Sequence, residues 1–150
     1  MSYLVIGYGN PLRSDDAAGQ RIAETVAGWN LASVRSLPVH QLTPELADPL
    51  SKVHTVIFVD VYVAHDGRED VQVLELAPLI TSKQQSGLGH ASDPRSLLTL
   101  AQHLYGASPV GWWILVPAAN FEFGEQLSSV TQNGIAIALQ HIQRLTGIEN

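Results

Sequence analysis

Apolar positions along this chain alternate between short continuous runs and stretches repeating at helical spacing. Tyr3-Leu4-Val5-Ile6 is a run closed by Gly7, and Ala18, Ile22, Val26 and Trp29 then recur at the period of a helix, so strand one feeds helix one. Between them Ser14 reads as an N-cap, with Asp15 and Asp16 in the first turn, where the helix dipole favours negative charge. Val34 to Val39 predicts a second strand, and Thr43-Pro44-Glu45 reads as N-cap, N1 proline and first-turn acid of a short helix disturbed at Pro49. Val53 to Val63 contains Val56-Ile57-Phe58-Val59, a β-branched and aromatic run suited to a strand buried on both faces, and Asp60 ends that run.

Asp66-Gly67 marks a turn, and Val71 to Leu76 alternates as a strand near the sheet edge. Pro78 to Ser92 is polar and reads as a surface loop. Asp93-Pro94 then opens a helix carrying Leu97, Leu98, Ala101 and Leu104, with Gly106 as its C-cap. Trp112 to Val116 predicts a further buried strand and Pro117 to Gly124 a loop. A last helix starts at or near Ser128 and carries Leu127, Val130, Ile137, Ile142 and Leu145 on one side.

Strands alternating with helices predict an α/β fold, a three-layer sandwich with a mostly parallel twisted sheet of about five strands flanked by helices on both faces. No linker, repeat or low-complexity segment divides the chain, so residues 1–150 read as a single domain, and a 45% hydrophobic content gives it a sizeable core. The formal net charge of -6, with eight scattered basic residues, argues against nucleic acid as a partner. The absence of Cys removes disulfides, a thiolate nucleophile and any Cys-based zinc or iron-sulfur site. No long apolar segment or signal-like start is present, so no membrane partner is expected and a cytoplasmic location is the default.

Ligands of open α/β sheets sit outside the carboxyl ends of the strands. The loop carrying Asp16 leaves strand one at that edge, Asp60 stands at the end of the central apolar run, and His90 lies in the loop before a capped helix. Two carboxylates and an imidazole are a suitable donor set for a divalent transition metal with open positions, without choosing which metal. Asp60 after four apolar residues needs a partner of some kind, and a metal, an N-cap or a backbone hydrogen bond each supplies one. Asp66-Gly67 is accounted for by the turn, which leaves His65 without a cluster, and His40, His54, His103 and His141 show no ligand spacing. No nucleophile elbow is present. Gly7-Tyr8-Gly9 lacks the third glycine of a dinucleotide loop, where Leu12 stands, and acids in this loop repel phosphate.

The segment Gly7-Tyr8-Gly9-Asn10-Pro11-Leu12-Arg13-Ser14-Asp15-Asp16-Ala17-Ala18-Gly19 resembles the G-x-G-N-x-L-x-x-D-[DE]-x-x-G opening of the hydrogenase maturation endopeptidases. The similarity continues through Val56-Ile57-Phe58-Val59-Asp60, through His90 in the place of the family's loop histidine, and through Pro117, Gly124, Leu127 and Ser128 in the closing segment. It thus spans nearly the whole chain in order. It implies an endopeptidase that removes a C-terminal extension from the large-subunit precursor of a [NiFe] hydrogenase after nickel insertion. It further implies that Asp16, Asp60 and His90 are the catalytic and nickel-binding residues. The nickel would arrive with the precursor, other divalent metals could substitute, and a monomer is expected. A non-catalytic, chaperone-like adaptor on the same fold is the alternative.

Two positions depart from the family pattern. Many members carry an Asp-Gly-Gly-[Thr/Ser] turn after strand two, where this chain has Val39-His40-Gln41-Leu42-Thr43-Pro44, so His40 becomes a candidate substrate contact in its place. Ala17 stands where Gly is common, a change compatible with a helical first turn. Asp16 stands where some members carry Glu, keeping the oxygen donor with a shorter reach.

Overall fold

The computed structural model describes residues 1–78 and 93–148. Its strands are β1 (Tyr3–Tyr8), β2 (Val34–Val39), β3 (Thr55–Val63), β4 (Gln72–Leu76) and β5 (Val110–Ala118), and its helices are α1 (Ala18–Gly28), α2 (Ala47–Leu50), α3 (Pro94–Tyr105) and α4 (Ser129–Leu145). Short 3-10 turns at Ser14–Ala17 and Pro44–Leu46 precede α1 and α2. The five strands form one sheet in the order β2-β1-β3-β5-β4. All neighbours are parallel except β4, which joins β5 antiparallel at the edge.

Alternation along the central strands sorts the core into two layers. Leu4, Ile6 and Tyr8 of β1 and Val56 and Phe58 of β3 face α2 and α3, where Leu46, Leu50, Leu97, Leu98 and Ala101 cover them. Val5, Ile57 and Val59 face the other way, together with Ile114 and Val116, against Ala18, Ile22 and Val26 of α1 and Ala138 and Ile142 of α4. The expected three-layer sandwich is therefore present. Close seating of α1 depends on two glycines. A Cβ on Gly19 would stand 2.6 Å from the carbonyl oxygens of both Tyr8 and Val59, and one on Gly7 would overlap the Gly19 carbonyl.

Four local expectations are corrected. Ser14 is not an N-cap: it is the first residue of its turn, with φ +50°, and Asp15 and Asp16 lie in that turn ahead of α1. Thr43 holds the N-cap position, but its side chain makes no capping bond. Pro117 belongs to β5, because Tyr62 and Val63 of β3 extend far enough to pair with Pro117 and Ala118. For the same reason Asp60 does not end its strand, and is paired with Leu115 inside it. Asp93 and Gly106 behave as expected, the first accepting from Arg95 N and the second adopting φ +66° at the C-cap. Most of the Pro78–Ser92 loop lies outside the described residues.

The strand order fixes where a site can form. From β1 the chain moves to β2 on one side and later to β3 on the other, so the connections leaving β1 and β3 part company and open a crevice at their carboxyl ends. β1 stops at Tyr8, level with Asp60 in the β1–β3 register that runs to Gly7 opposite Val59. Asp60 thus stands at the floor of that crevice.

Candidate functional site

The loop leaving β1 is built around Asn10. Its backbone N–H donates to Asp16 Oδ2 (2.8 Å), its side-chain Oδ1 accepts from Leu12 N (2.9 Å), and its carbonyl accepts from Arg13 N (3.2 Å). Gly9 precedes it with φ +145°, and a Cβ there would collide with the Asp16 carbonyl, so only glycine lets the chain fold back this tightly. Ser14, buried and left-handed, donates its N–H to Gly124 O (2.9 Å) and its Oγ to Glu122 O (2.8 Å). These bonds lash the β1–α1 loop to the β5–α4 loop. Leu12 and Phe123 remain 60% and 77% exposed on this rim, with the Arg13 guanidinium 4.3 Å from the Phe123 ring centroid.

The adjacent acids have opposite fates. Asp15 is fully buried. It accepts from Ala119 N (2.8 Å), Asn120 N (2.7 Å), Ser128 N (2.8 Å) and Ser128 Oγ (2.7 Å). Burial by itself raises its pKa, but the Ser128, Ala119 and Asn120 donors outweigh it and hold the carboxyl below its usual value. Asp15 is therefore a knot between two loops, not a dipole partner for α1. Asp16 is half-exposed, and among the described residues its side chain takes only the Asn10 N–H, on Oδ2.

Asp60 is pushed up to about 6, first by burial and further by the charge of Asp16, against the opposing pull of the Val61 N–H and the Tyr8 hydroxyl. The two carboxylates therefore feel each other across the crevice. A divalent cation between them would relieve both the desolvation and the repulsion, so this pair suits a metal's charge and oxygen preference. Among the described residues they do not form a set of three or more metal-ligating side chains. His90, the expected third donor, lies outside the described residues. The capping reading of Asp60 is only partly met, since its backbone partner is the next residue in the same strand.

His40 is exposed just past β2, and its carbonyl accepts from Gly9 N (3.2 Å), which places the residue at the same sheet edge as the acidic loop. His65 and Asp66 belong to a turn closed by paired backbone bonds between His65 and Arg68. His54 is engaged with Ser2.

Residue patterns gave no role to Tyr8 and Trp113. The Tyr8 hydroxyl and Trp113 Nε1 are buried without a hydrogen bond of full geometry among the described residues, although the hydroxyl lies near enough to Asp60 to lower its pKa; left unclosed, such a group costs about 1–3 kcal/mol. The signal was available in the sequence. A tyrosine ending an otherwise apolar strand brings a hydroxyl that must be partnered when buried.

No family model and no curated protein matches the chain significantly. Solved structures do. The Escherichia coli hydrogenase maturating endopeptidase HybD is 22% identical, with a TM-score of 0.71 over 99% of this chain and 96% of its own. The chain has the fold of a hydrogenase maturation endopeptidase. The [NiFe] hydrogenase maturation protease HycI from Thermococcus kodakarensis is 21% identical, with a TM-score of 0.69 over 96% of this chain and 91% of its own. The hydrogenase 2 maturation peptidase of Thaumarchaeota archaeon SCGC_AB-539-E09 is 18% identical, with a TM-score of 0.68 over 99% of this chain and 100% of its own. Each of these matches covers more than nine-tenths of both chains.

Proposed function

We propose that this protein is a hydrogenase maturation endopeptidase that cleaves the C-terminal extension from a nickel-loaded [NiFe] hydrogenase large-subunit precursor. The observation that carries the reading is the pairing of Asp16 with Asp60 at the sheet's switch point, where burial and mutual repulsion leave Asp60 in need of a cation. The shared fold with solved maturation endopeptidases supports it. Asp16, Asp60 and His90 bind the nickel of the precursor and form the catalytic set. Nickel, a part of the substrate here, supplies charge recognition and Lewis acidity when bound. The chain's own task is to hold Asp16 through Asn10 and Asp60 through the β1–β3 register, so that both carboxylates meet the precursor in fixed positions. Hydrolysis adds one water across the scissile amide, giving a new C-terminal carboxylate and a free amine on the released peptide.

His40 contacts the precursor from the β2 side of the crevice, where it replaces the Asp-Gly-Gly turn. The protein acts as a cytoplasmic monomer. No helix among the described residues is long and apolar enough to cross a membrane.

Incubating the purified protein with nickel-loaded and nickel-free precursors, and following the C-terminal peptide by mass spectrometry, tests this reading. Release from the loaded form alone is expected. Binding of the loaded precursor without release, across several hydrogenases, would replace the peptidase with the adaptor.

A further inference from the structure

Three side chains of adjacent strands meet on the α2/α3 face of the sheet. Gly7 is opposite Val59, so Tyr8 and Asp60, the next residue on each strand, are neighbours on that face. Trp113 pairs with Phe58 on the far side of β3, two residues before Asp60, and packs against the same cluster as Tyr8. Tyr8 is only 7% exposed, yet neither its hydroxyl nor Trp113 Nε1 closes a hydrogen bond within the described residues. Among the described residues, the groups that act on the Tyr8 hydroxyl are Asp60, Trp113 and, by charge alone, Asp93. Asp93 is already committed to Arg95 N at the start of α3. That leaves Asp60 and Trp113.

The chemistry of the three groups is ordered. An indole N–H can only donate, a phenol can accept one bond and donate another, and an ionised carboxylate can only accept. A Phe at position 8 would fill the same space without a buried hydroxyl, so packing alone does not call for Tyr. We propose that Tyr8, backed by Trp113, is a positioning residue for Asp60: Trp113 Nε1–H donates to the Tyr8 oxygen and the Tyr8 O–H donates to the Asp60 carboxylate. The relay fixes the rotation of that carboxylate and so the oxygen presented to the crevice, as groups behind metal-binding side chains do. Its functional half rests on the reading of Asp60 as a cation donor.

The test uses the whole chain, labelled with 15N, and the indole N–H signals of its three tryptophans, Trp113's being assigned by its loss in Trp113→Phe. Asp60→Asn is expected to shift the Trp113 indole signal when Tyr8 is present and to leave it unmoved in a Tyr8→Phe background. Tyr8→Phe itself is expected to fold, with a melting temperature below the parent's because it strands the Trp113 N–H and removes a donor from Asp60. In chelator-stripped protein followed by calorimetry, it is expected to weaken Ni2+ binding roughly ten-fold. An indole response to Asp60→Asn that is absent, or equal in both backgrounds, overturns the relay. Parent-like Ni2+ binding by Tyr8→Phe, with Asp60→Asn abolishing it, overturns the positioning role. Parent-like Ni2+ binding by Asp60→Asn with the indole coupling intact instead sinks the cation-site reading and leaves the relay standing. Should Tyr8→Phe not fold, Trp113→Phe takes its place: weaker Ni2+ binding supports the relay and unchanged binding refutes it.

Discussion

Asp15 Oδ2 accepts a 2.7 Å hydrogen bond from Ser128 Oγ, across 113 residues of sequence. Asp16, the next residue, turns outward to the crevice instead and takes the Asn10 N–H. One acid of the pair is thereby spent on architecture and the other left accessible. The split follows from the 3-10 turn, whose tighter winding sends adjacent side chains in different directions.

Asp15→Ala removes the acceptor of four donors and leaves them buried, which is expected to lower stability by about 3 kcal/mol. The Asp15 carboxyl has a lowered pKa in the fold. Its contribution is therefore fully present above the unfolded value of about 3.9 and is lost as pH falls through the folded one. Urea midpoints at pH 7 and pH 3 for parent and variant measure this; a gap between them that does not shrink at low pH would contradict it.

Asp60 has the opposite sign. Its folded pKa of about 6 lies above the unfolded value, so its stabilising contribution is present below about pH 4 and disappears as pH rises through 6. With metal removed by chelator, Asp60→Asn is expected to be more stable than the parent at pH 7.5 by about 2 kcal/mol, and to lack the parent's decline between pH 4 and 6. Adding Ni2+ is expected to raise the parent's melting temperature and not the variant's.

Gly19→Ala places a methyl group 2.6 Å from two backbone carbonyl oxygens, neither of which can rotate away. About 2 kcal/mol or more should be lost, because α1 must lift from the sheet and carry the Asp16 turn with it. Gly28→Ala, at the end of the same helix, meets nothing within 4 Å and should be neutral or stabilising by up to about 1 kcal/mol. Thermal unfolding of the two variants side by side separates close packing from helix propensity.

Asp16→Asn and Asp60→Asn are each expected to reduce precursor processing by at least about 100-fold while preserving the circular dichroism spectrum. His90→Ala is expected to do the same. Processing at parental rate by any one of the three would remove that residue from the catalytic set.

The fold was largely legible in the sequence, because a strand covered on both faces needs an unbroken apolar run and a helix at the surface needs a 3.6-residue period. Val56 to Val59, the α1 stripe of Ala18, Ile22 and Val26, and the caps Asp93 and Gly106 each report only their own neighbourhood, and each fell where the pattern put it. Element ends were less legible. Asp60 and Pro117 lie inside strands because β3 and β5 continue together beyond the end of β1, and pairing between distant segments leaves no mark on either sequence alone.

The sequence by itself determined that two acids follow the first strand and a third carboxylate follows the central apolar run. Only tertiary structure decided their duties. Four donors from the β5–α4 side claim Asp15, and the Asn10 loop holds Asp16 at the crevice. Burial beside Tyr8 and the nearby charge of Asp16 raise the pKa of Asp60. Local pattern specifies hydrophobicity and turn chemistry, but desolvation, charge and hydrogen-bond supply belong to a place in the fold, and that place is made by residues far away along the chain.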